Sequence, residues 1–315
     1  WGAVLAISVM GSFMLFAGTK IRKNSNNCSF LQFIMLLNAI FNYLLNICNK
    51  KQQVQDFTIF AGKPPYVLKE ERQRIILSEV DLHNRVQLTD MAEMLEVSID
   101  TVRRDVKELD ADQKLRKVHG GAVSLGFVSP ATGSGNTYAL EEKRTIARKA
   151  TSLLRDGSVI FIDGGTTCLE LARELPENLN LTCFTLSLPV ALQLLAKPRV
   201  EVVLIGGKIS REAQIATGAS AIHALSDIRV DYGFIGTGYV DALHGLTEFD
   251  WEVVQVKKSV IASSRKAILL CISEKLNSQH RYRTCDISAI NTLVTELPPD
   301  HNRLNPFRDR EIHLL

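Results

Sequence analysis

Ser158-Val159-Ile160-Phe161-Ile162-Asp163-Gly164-Gly165-Thr166-Thr167 runs from an almost unbroken apolar segment into an acidic, glycine-rich turn carrying two hydroxyls. An apolar run of this kind reads as a strand buried on both faces, because a half-exposed strand would alternate apolar with polar residues. A helix over Cys168–Leu175 follows it. The pattern then repeats. Leu181–Thr185 reads as a strand, with Ser187-Leu188-Pro189 and a helix from Val190 after it, Pro189 suiting a first helical turn. Val202–Ile205 is a strand ending in Gly206-Gly207, and Gly233–Gly236 one ending in Thr237-Gly238. A helix over Asp250–Ser264 leads to a strand at Ala267–Cys271, and Thr292–Thr295 is the last strand. Strands alternating with helices predict an α/β domain whose mainly parallel sheet has helices on both faces.

In such sheets ligands sit beyond the carboxyl ends of the strands, where all of these polar, glycine-rich motifs fall. In the turn 163–167, glycines let backbone N–H groups approach an anion, Thr166 and Thr167 add hydroxyl donors, and the next helix aims its positive end inward. Lys208, Lys257 and Lys275 could supply the charge a phosphate needs. Taken singly, the turn equally fits a plain tight turn, and each lysine a solvated surface. The six cysteines form no close CxxC pair and mostly sit in apolar runs, which predicts free buried thiols in a reducing compartment, with no metal and no cofactor.

Upstream, residues 67–123 read as a small helical domain ending in a hairpin. Glu70–Val80 places Ile75, Ile76, Leu77 and Val80 among charges, as an amphipathic helix does. After the polar turn His83-Asn84-Arg85, a second helix opened by Thr89-Asp90 gathers Val86, Leu88, Met91, Ala92 and Leu95 on one face. Ser98 can cap the third helix, Ile99–Leu109. That helix buries Val102, Val106 and Leu109 and turns Asp100, Thr101, Arg103, Arg104 and Lys107 outward. Two short helices across a tight turn, the second presenting Thr and Arg, make the helix-turn-helix pattern, and such a helix fits the major groove. Lys114–Val123, with Leu115, Val118 and Val123 around Gly120-Gly121, predicts a β-hairpin wing whose Arg116, Lys117 and His119 can meet phosphates. We expect Thr89, Ser98, Asp100, Thr101, Arg103, Arg104, Lys107, Arg116, Lys117 and His119 to face DNA.

Residues 1–66 differ from the rest. They hold six Lys or Arg and one acid, Asp56, whereas the remainder carries 31 basic and 33 acidic residues, so DNA binding must rest on a local surface and not on net charge. Trp1–Gly18 and Cys28–Cys48 are uncharged and long enough to span a bilayer, although Gln32, Asn38, Asn42 and Asn46 would need partners in lipid. Two readings stand: a membrane anchor, or upstream sequence read through an over-extended frame, since the segment is rich in residues with AT-rich codons and the chain begins with Trp. Residues 124–140 read as a linker, with Ser, Gly, Thr, Pro and Asn crowding Ser129–Thr137. The chain thus divides into the 1–66 extension, a winged helix-turn-helix at 67–123, the linker 124–140 and an effector-binding domain at 141–315.

Leu68-Lys69-Glu70-Glu71-Arg72, Val97-Ser98 with Thr101-Val102-Arg103-Arg104-Asp105, and Val118-His119-Gly120-Gly121-Ala122 closely resemble the DNA-binding domain of the DeoR family of bacterial regulators. The resemblance extends over residues 68–297. It implies that the second domain looks like the sugar-phosphate isomerase fold that has lost catalysis and kept binding. It further implies that Asp163, Gly165, Thr166 and Thr167 hold a phosphate end while Asp250 and Lys257 close on the sugar. Three positions depart from the family pattern: Gly164 where Ser is frequent, Leu186 where Asn is common, and Ile272 where Asp is common. The last two remove polar groups and point to a different ligand.

The expectation is therefore a cytoplasmic, non-enzymatic transcriptional regulator that represses carbohydrate-metabolism genes and is released by a phosphorylated sugar. Its partners are operator DNA and that metabolite, and its own copies, since one helix-turn-helix makes few base contacts. The effector set is Asp163, Gly164, Gly165, Thr166, Thr167, Ser187, Gly206, Gly207, Thr237, Gly238, Glu248, Asp250, Lys257 and Lys275. Two alternatives are a regulator tethered to the membrane by residues 1–48 and a sugar-phosphate isomerase. The latter needs a placed base of near-neutral pKa, and the sequence offers no convincing acid-plus-lysine set.

Overall fold

Apolar residues three and four apart draw three short helices together at the start of the computed structural model, which describes residues 67–125, 137–211 and 213–315. These are α1 (Lys69–His83), α2 (Leu88–Met94) and α3 (Ile99–Ala111), with β1 (Arg85–Gln87) between the first two and a hairpin of β2 (Arg116–Val118) and β3 (Gly121–Val123) after the third. Ile76, Val80, Met91, Val102, Val106 and Leu109 form their core. Beneath α3, Arg72 donates from Nε and a terminal nitrogen to the two Asp105 oxygens at 2.7 and 3.1 Å, both residues being buried.

One expectation fails here. Val86 is not on the second helix but in β1, which pairs antiparallel with β3 to complete a β1-β3-β2 sheet. Three residues are too few to show a strand's alternation, and α2 starts at Leu88 with no side-chain cap, not at Thr89-Asp90. Gly121 lets β3 lie this close to β1, since a Cβ there would stand 2.2 Å from the Val86 carbonyl oxygen.

The second domain begins with α4 (Leu140–Thr151), which the sequence reading missed. Then come β4 (Val159–Ile162), α5 (Thr166–Glu174), β5 (Leu181–Thr185), α6 (Leu188–Leu194), β6 (Val200–Leu204), a small hairpin of β7 (Lys208–Ile209) and β8 (Ala216–Thr217), α7 (Ala219–Ser226) and β9 (Val230–Gly236). After these lie β10 (Tyr239–Asp241), β11 (Gly245–Glu248), α8 (Trp251–Ser263), β12 (Ser264–Leu270), β13 (Tyr282–Cys285), β14 (Thr292–Val294), α9 (Asn305–Arg308) and β15 (His313–Leu314). Seven strands pair in parallel in the order β15-β14-β12-β9-β4-β5-β6, and β10-β11-β13 form a separate antiparallel sheet.

The strand alternation builds two cores. Ile160 and Ile162 face α4, α5 and α6, while Phe161 points the other way toward the core shared by α7, α8 and α9. From β4 the chain winds outward through β5 and β6, and from β9 in the opposite direction through β12 and β14. The gap between the carboxyl ends of β4 and β9 is the point where a doubly wound sheet opens a crevice.

The two long apolar runs and most of the linker lie outside the described residues, as do Cys28 and Cys48. Cys168, Cys183, Cys271 and Cys285 are free thiols. Among the described residues no helix is long and apolar enough to cross a membrane.

Candidate DNA-binding face and effector cavity

Ser98 caps α3 as expected, its Oγ accepting from Thr101 N at 3.1 Å. The Thr101 hydroxyl lies 2.8 Å from the same oxygen. Arg103 is ion-paired within the helix to Asp100, so Arg104 and Lys107 are the exposed cations of this face left without a carboxylate partner among the described residues. Arg116, Lys117 and His119 stand exposed on the wing, and the Lys117 amide donates to Asp110 Oδ1 at 3.0 Å, tying wing to helix. Thr89 is exposed, but its neighbour Asp90 faces the other domain, gripped by His280 Nε2 at 2.9 Å and by Arg281 at 2.6 Å.

In the second domain, the crevice between β4 and β9 is a cavity. Of the expected effector residues it gathers Asp163 to Thr167, Thr237, Gly238, Glu248, Asp250, Lys257 and Lys275. Ser187 lines an adjoining crevice with Gly165 and Thr166, where its Oγ accepts from Val190 N and caps α6. Gly206 and Gly207 are exposed at the end of β6 and do not line the cavity. Lys208 also stays outside, paired with Glu252 at 3.1 Å.

The turn after β4 has the build expected of an anion cradle. Gly165 adopts φ 99°, a left-handed conformation that a side chain would strain, and α5 starts immediately after it with Thr166 and Thr167 in its first turn. Asp163 anchors this turn. Its Oδ1 accepts from Gly164 N at 2.7 Å and its Oδ2 from Gly236 N at 3.3 Å. Burial pushes its carboxyl above the usual carboxylate range, against the pull of Lys257.

Lys257 is not a free cation. Its ammonium donates to Glu248 Oε1 and, at 2.8 Å, to the Gly236 carbonyl, with Asp163 Oδ2 at 3.7 Å. Burial opposes its charge, but Glu248 and Asp163 outweigh burial and raise its pKa above the ordinary lysine value. The acid-plus-lysine set missing from the sequence reading is thus present, drawn from β4, β11 and α8. Lys275, donating to the Thr237 carbonyl at 3.1 Å, has its pKa lowered by burial. Asp250 is committed too, since its Oδ1 caps α8 by accepting from Glu252 N and Val253 N. The unusual Ile272 lines the cavity as an apolar wall, whereas Leu186 is buried in the core.

The sequence reading missed His83, Asn84 and Arg85, which reach this cavity from the DNA-binding domain, and Phe249 beside them. His83 stacks on Tyr239 with ring centroids 4.1 Å apart and donates from Nδ1 to the Gly238 carbonyl at 3.0 Å. Gly238 N in turn donates to Glu248 Oε1 at 3.0 Å. A chain of contacts therefore runs from Lys257 through Glu248 and Gly238 to the end of α1.

Burial, with help from the nearby Lys275 charge, lowers the His83 pKa from 6.5 to about 4. A depressed folded pKa contributes stability above the unfolded value that is lost as pH falls. Acidification from pH 6.5 to 4 will therefore remove up to about 3 kcal/mol through this one residue. His83→Gln, which keeps a donor for Gly238, should flatten urea-unfolding stability across that window. An equally steep wild-type and variant profile would refute the assignment.

Comparison with known proteins identifies both domains. Residues 72–126 match the DeoR-like helix-turn-helix domain and residues 139–297 the DeoR C terminal sensor domain. The chain is 30% identical to the glycerol-3-phosphate regulon repressor of Escherichia coli over 78% of this chain and 97% of that protein. It is 32% identical to the HTH-type transcriptional repressor GlcR of Bacillus subtilis over 74% of this chain and 90% of that one. Among solved structures, ribose 5-phosphate isomerase A of Methanocaldococcus jannaschii aligns with 42% of this chain and 53% of its own at 20% identity and a TM-score of 0.32, a likeness too low to carry weight. With both domains matched in order and a repressor aligned over almost its full length, the chain belongs to the DeoR family of transcriptional regulators.

Proposed function

We propose that this regulator represses carbohydrate-metabolism genes from the cytoplasm, binding operator DNA as a homo-oligomer and leaving it when a phosphorylated sugar or related metabolite enters the cavity. The observation that carries this reading is the Asp163–Thr167 turn at the amino end of α5, opening into a cavity that also touches the DNA-binding domain. Two relatives named as repressors, one of a glycerol-3-phosphate regulon, point the same way. Turnover does not fit the side chains. A general base must exchange a proton near neutral pH, but Glu248 is held by Lys257 and by Gly238 N, and Lys257 has a raised pKa.

The test is thermal unfolding of the full chain with sugars and polyols against their phosphate esters, glycerol 3-phosphate and glucose 6-phosphate among them. Only phosphates should raise the melting temperature, since a ligand that binds the folded state stabilises it. The stabilising ester should also release operator DNA. Equal stabilisation by the free sugar removes the phosphate from the reading. Tighter operator binding with the ester would make the metabolite a corepressor, and steady conversion of the ester would restore the isomerase.

On the DNA side, Arg104→Ala should cost about 1–3 kcal/mol on the cognate site and little on random DNA. Lys117→Ala should weaken both alike and reduce the salt slope by roughly one phosphate's worth. Equal loss on both DNAs for Arg104→Ala would make it a phosphate contact.

A further inference from the structure

Arg85 belongs to the DNA-binding domain, where it opens β1, yet it lines the cavity of the other domain. Its Cζ lies 4.9 Å above the centre of the Phe249 ring. Its Nε is buried with no hydrogen-bond partner, and among the described residues no carboxylate pairs with its guanidinium. A buried donor left unmet is costly and uncommon.

The charges around the cavity show why this one stands apart. Three cations line it, Arg85, Lys257 and Lys275, and three carboxylates, Asp163, Glu248 and Asp250. Lys257 is taken by Glu248 and Asp163, Lys275 donates to a backbone carbonyl, and Asp250 caps α8. An anion held by the α5 amino end would meet two lysines already offset by two buried acids. Arg85 is the remaining uncommitted charge, and a guanidinium is the group best shaped for two-pronged bonding to a phosphate or carboxylate.

We infer that Arg85 takes an anionic oxygen of the ligand directly, so that the DNA-binding domain itself forms part of the effector site. This rests on the cavity being the effector site, as proposed above. The path onward is short. Arg85 pairs in β1 with Val123 of β3, and Val123 pairs on its other side with Arg116 of the wing. Asn84, in the left-handed conformation at φ 64°, joins α1 to β1. A pull on Arg85 therefore acts on the strand that carries the wing, while α1 and α3 stay tied by Arg72 and Asp105.

The probe is inorganic phosphate, titrated calorimetrically into the full chain. DNA release is followed by anisotropy on a site that the wild-type protein selects from a random library. Arg85→Gln keeps the length and the β1 backbone while removing the charge. It should weaken phosphate binding about tenfold or more, leave DNA affinity in phosphate-free buffer within about threefold, and abolish the effect of phosphate on DNA binding. Arg85→Lys should recover part of the phosphate affinity, because it restores the charge without the fork. Gly165→Ala, which strains the cradle, should lose phosphate binding outright. If Arg85→Gln binds phosphate like wild type while Gly165→Ala does not, the inference on Arg85 fails and the cavity stands. If phosphate neither binds the wild-type chain nor shifts its hold on DNA, both fail.

Discussion

Lys257→Met will lower the stability of the effector-binding domain by about 3–5 kcal/mol at pH 7, the cost of leaving buried charge without its partner. The substitution removes the counter-ion of Glu248 and of Asp163, which are 5% and 2% exposed, and leaves two buried carboxylates facing each other. The chain will answer by protonating one of them. A carboxyl whose folded pKa is raised contributes stability that is fully present below its unfolded pKa and is lost as pH rises through the folded one. Relative to wild type at each pH, urea midpoints of Lys257→Met should therefore climb as pH falls from 8 toward 5, a window in which wild-type Lys257 stays charged throughout. Adding Glu248→Gln should recover at least half of the loss and flatten the pH dependence of the difference from wild type. A Lys257→Met protein as stable as wild type at pH 8 would show that the triad is solvated. The same reasoning changes what Lys257 can reveal about induction. The family resemblance implies a cation closing on the sugar, and on that view alone a Lys257 variant would bind operator but ignore the metabolite. Packed between two acids, Lys257 supports the cavity floor, so the double variant is the one in which loss of induction can be separated from loss of fold.

The sheet was legible because its central strands are largely apolar and lead into glycine-rich turns, and because α6 and α8 open with a side-chain cap. Pro189 and Ser187 start α6 and Asp250 starts α8 where the pattern indicates. Short elements were not. β1, β7 and β15 have three residues or fewer, too few for any period to emerge, and α4 carries Glu, Lys and Arg over a narrow buried stripe. The cavity was half legible. Its glycine-rich turns announce themselves, since an anion cradle needs both glycine and a helix start. The partners of its charges did not, because Asp163, Glu248 and Lys257 lie far apart in the chain and meet only through the order of the sheet. Arg85 was the hardest to see. It sits in a segment that reads as a polar turn of one domain, and its guanidinium is placed over Phe249 of the other.

The second buried pair yields the complementary prediction. Arg72→Met will remove DNA binding on cognate and random sequences alike while the effector-binding domain keeps its fold. Asp105 is 2% exposed and receives both of its charged hydrogen bonds from Arg72, across 33 residues of chain. Without them an unpaired carboxylate lies under the recognition helix, again costing about 3–5 kcal/mol. That exceeds what a small helical domain can spare. The loss falls on α3 because Asp105 shares a turn with Val102 and Val106, the residues that seat that helix. Hydrogen exchange should show α3 amides losing protection before those of β4 and β9. The outcome differs from Arg104→Ala, where only the cognate site suffers and the fold is untouched. Arg72→Met with Asp105→Leu replaces the pair by apolar volume and should restore protection of α3, since a buried ion pair exchanged for well-packed side chains is often neutral or better. If the single variant keeps α3 protected and still binds DNA, the pair is dispensable, and the recognition helix is held by its apolar face alone.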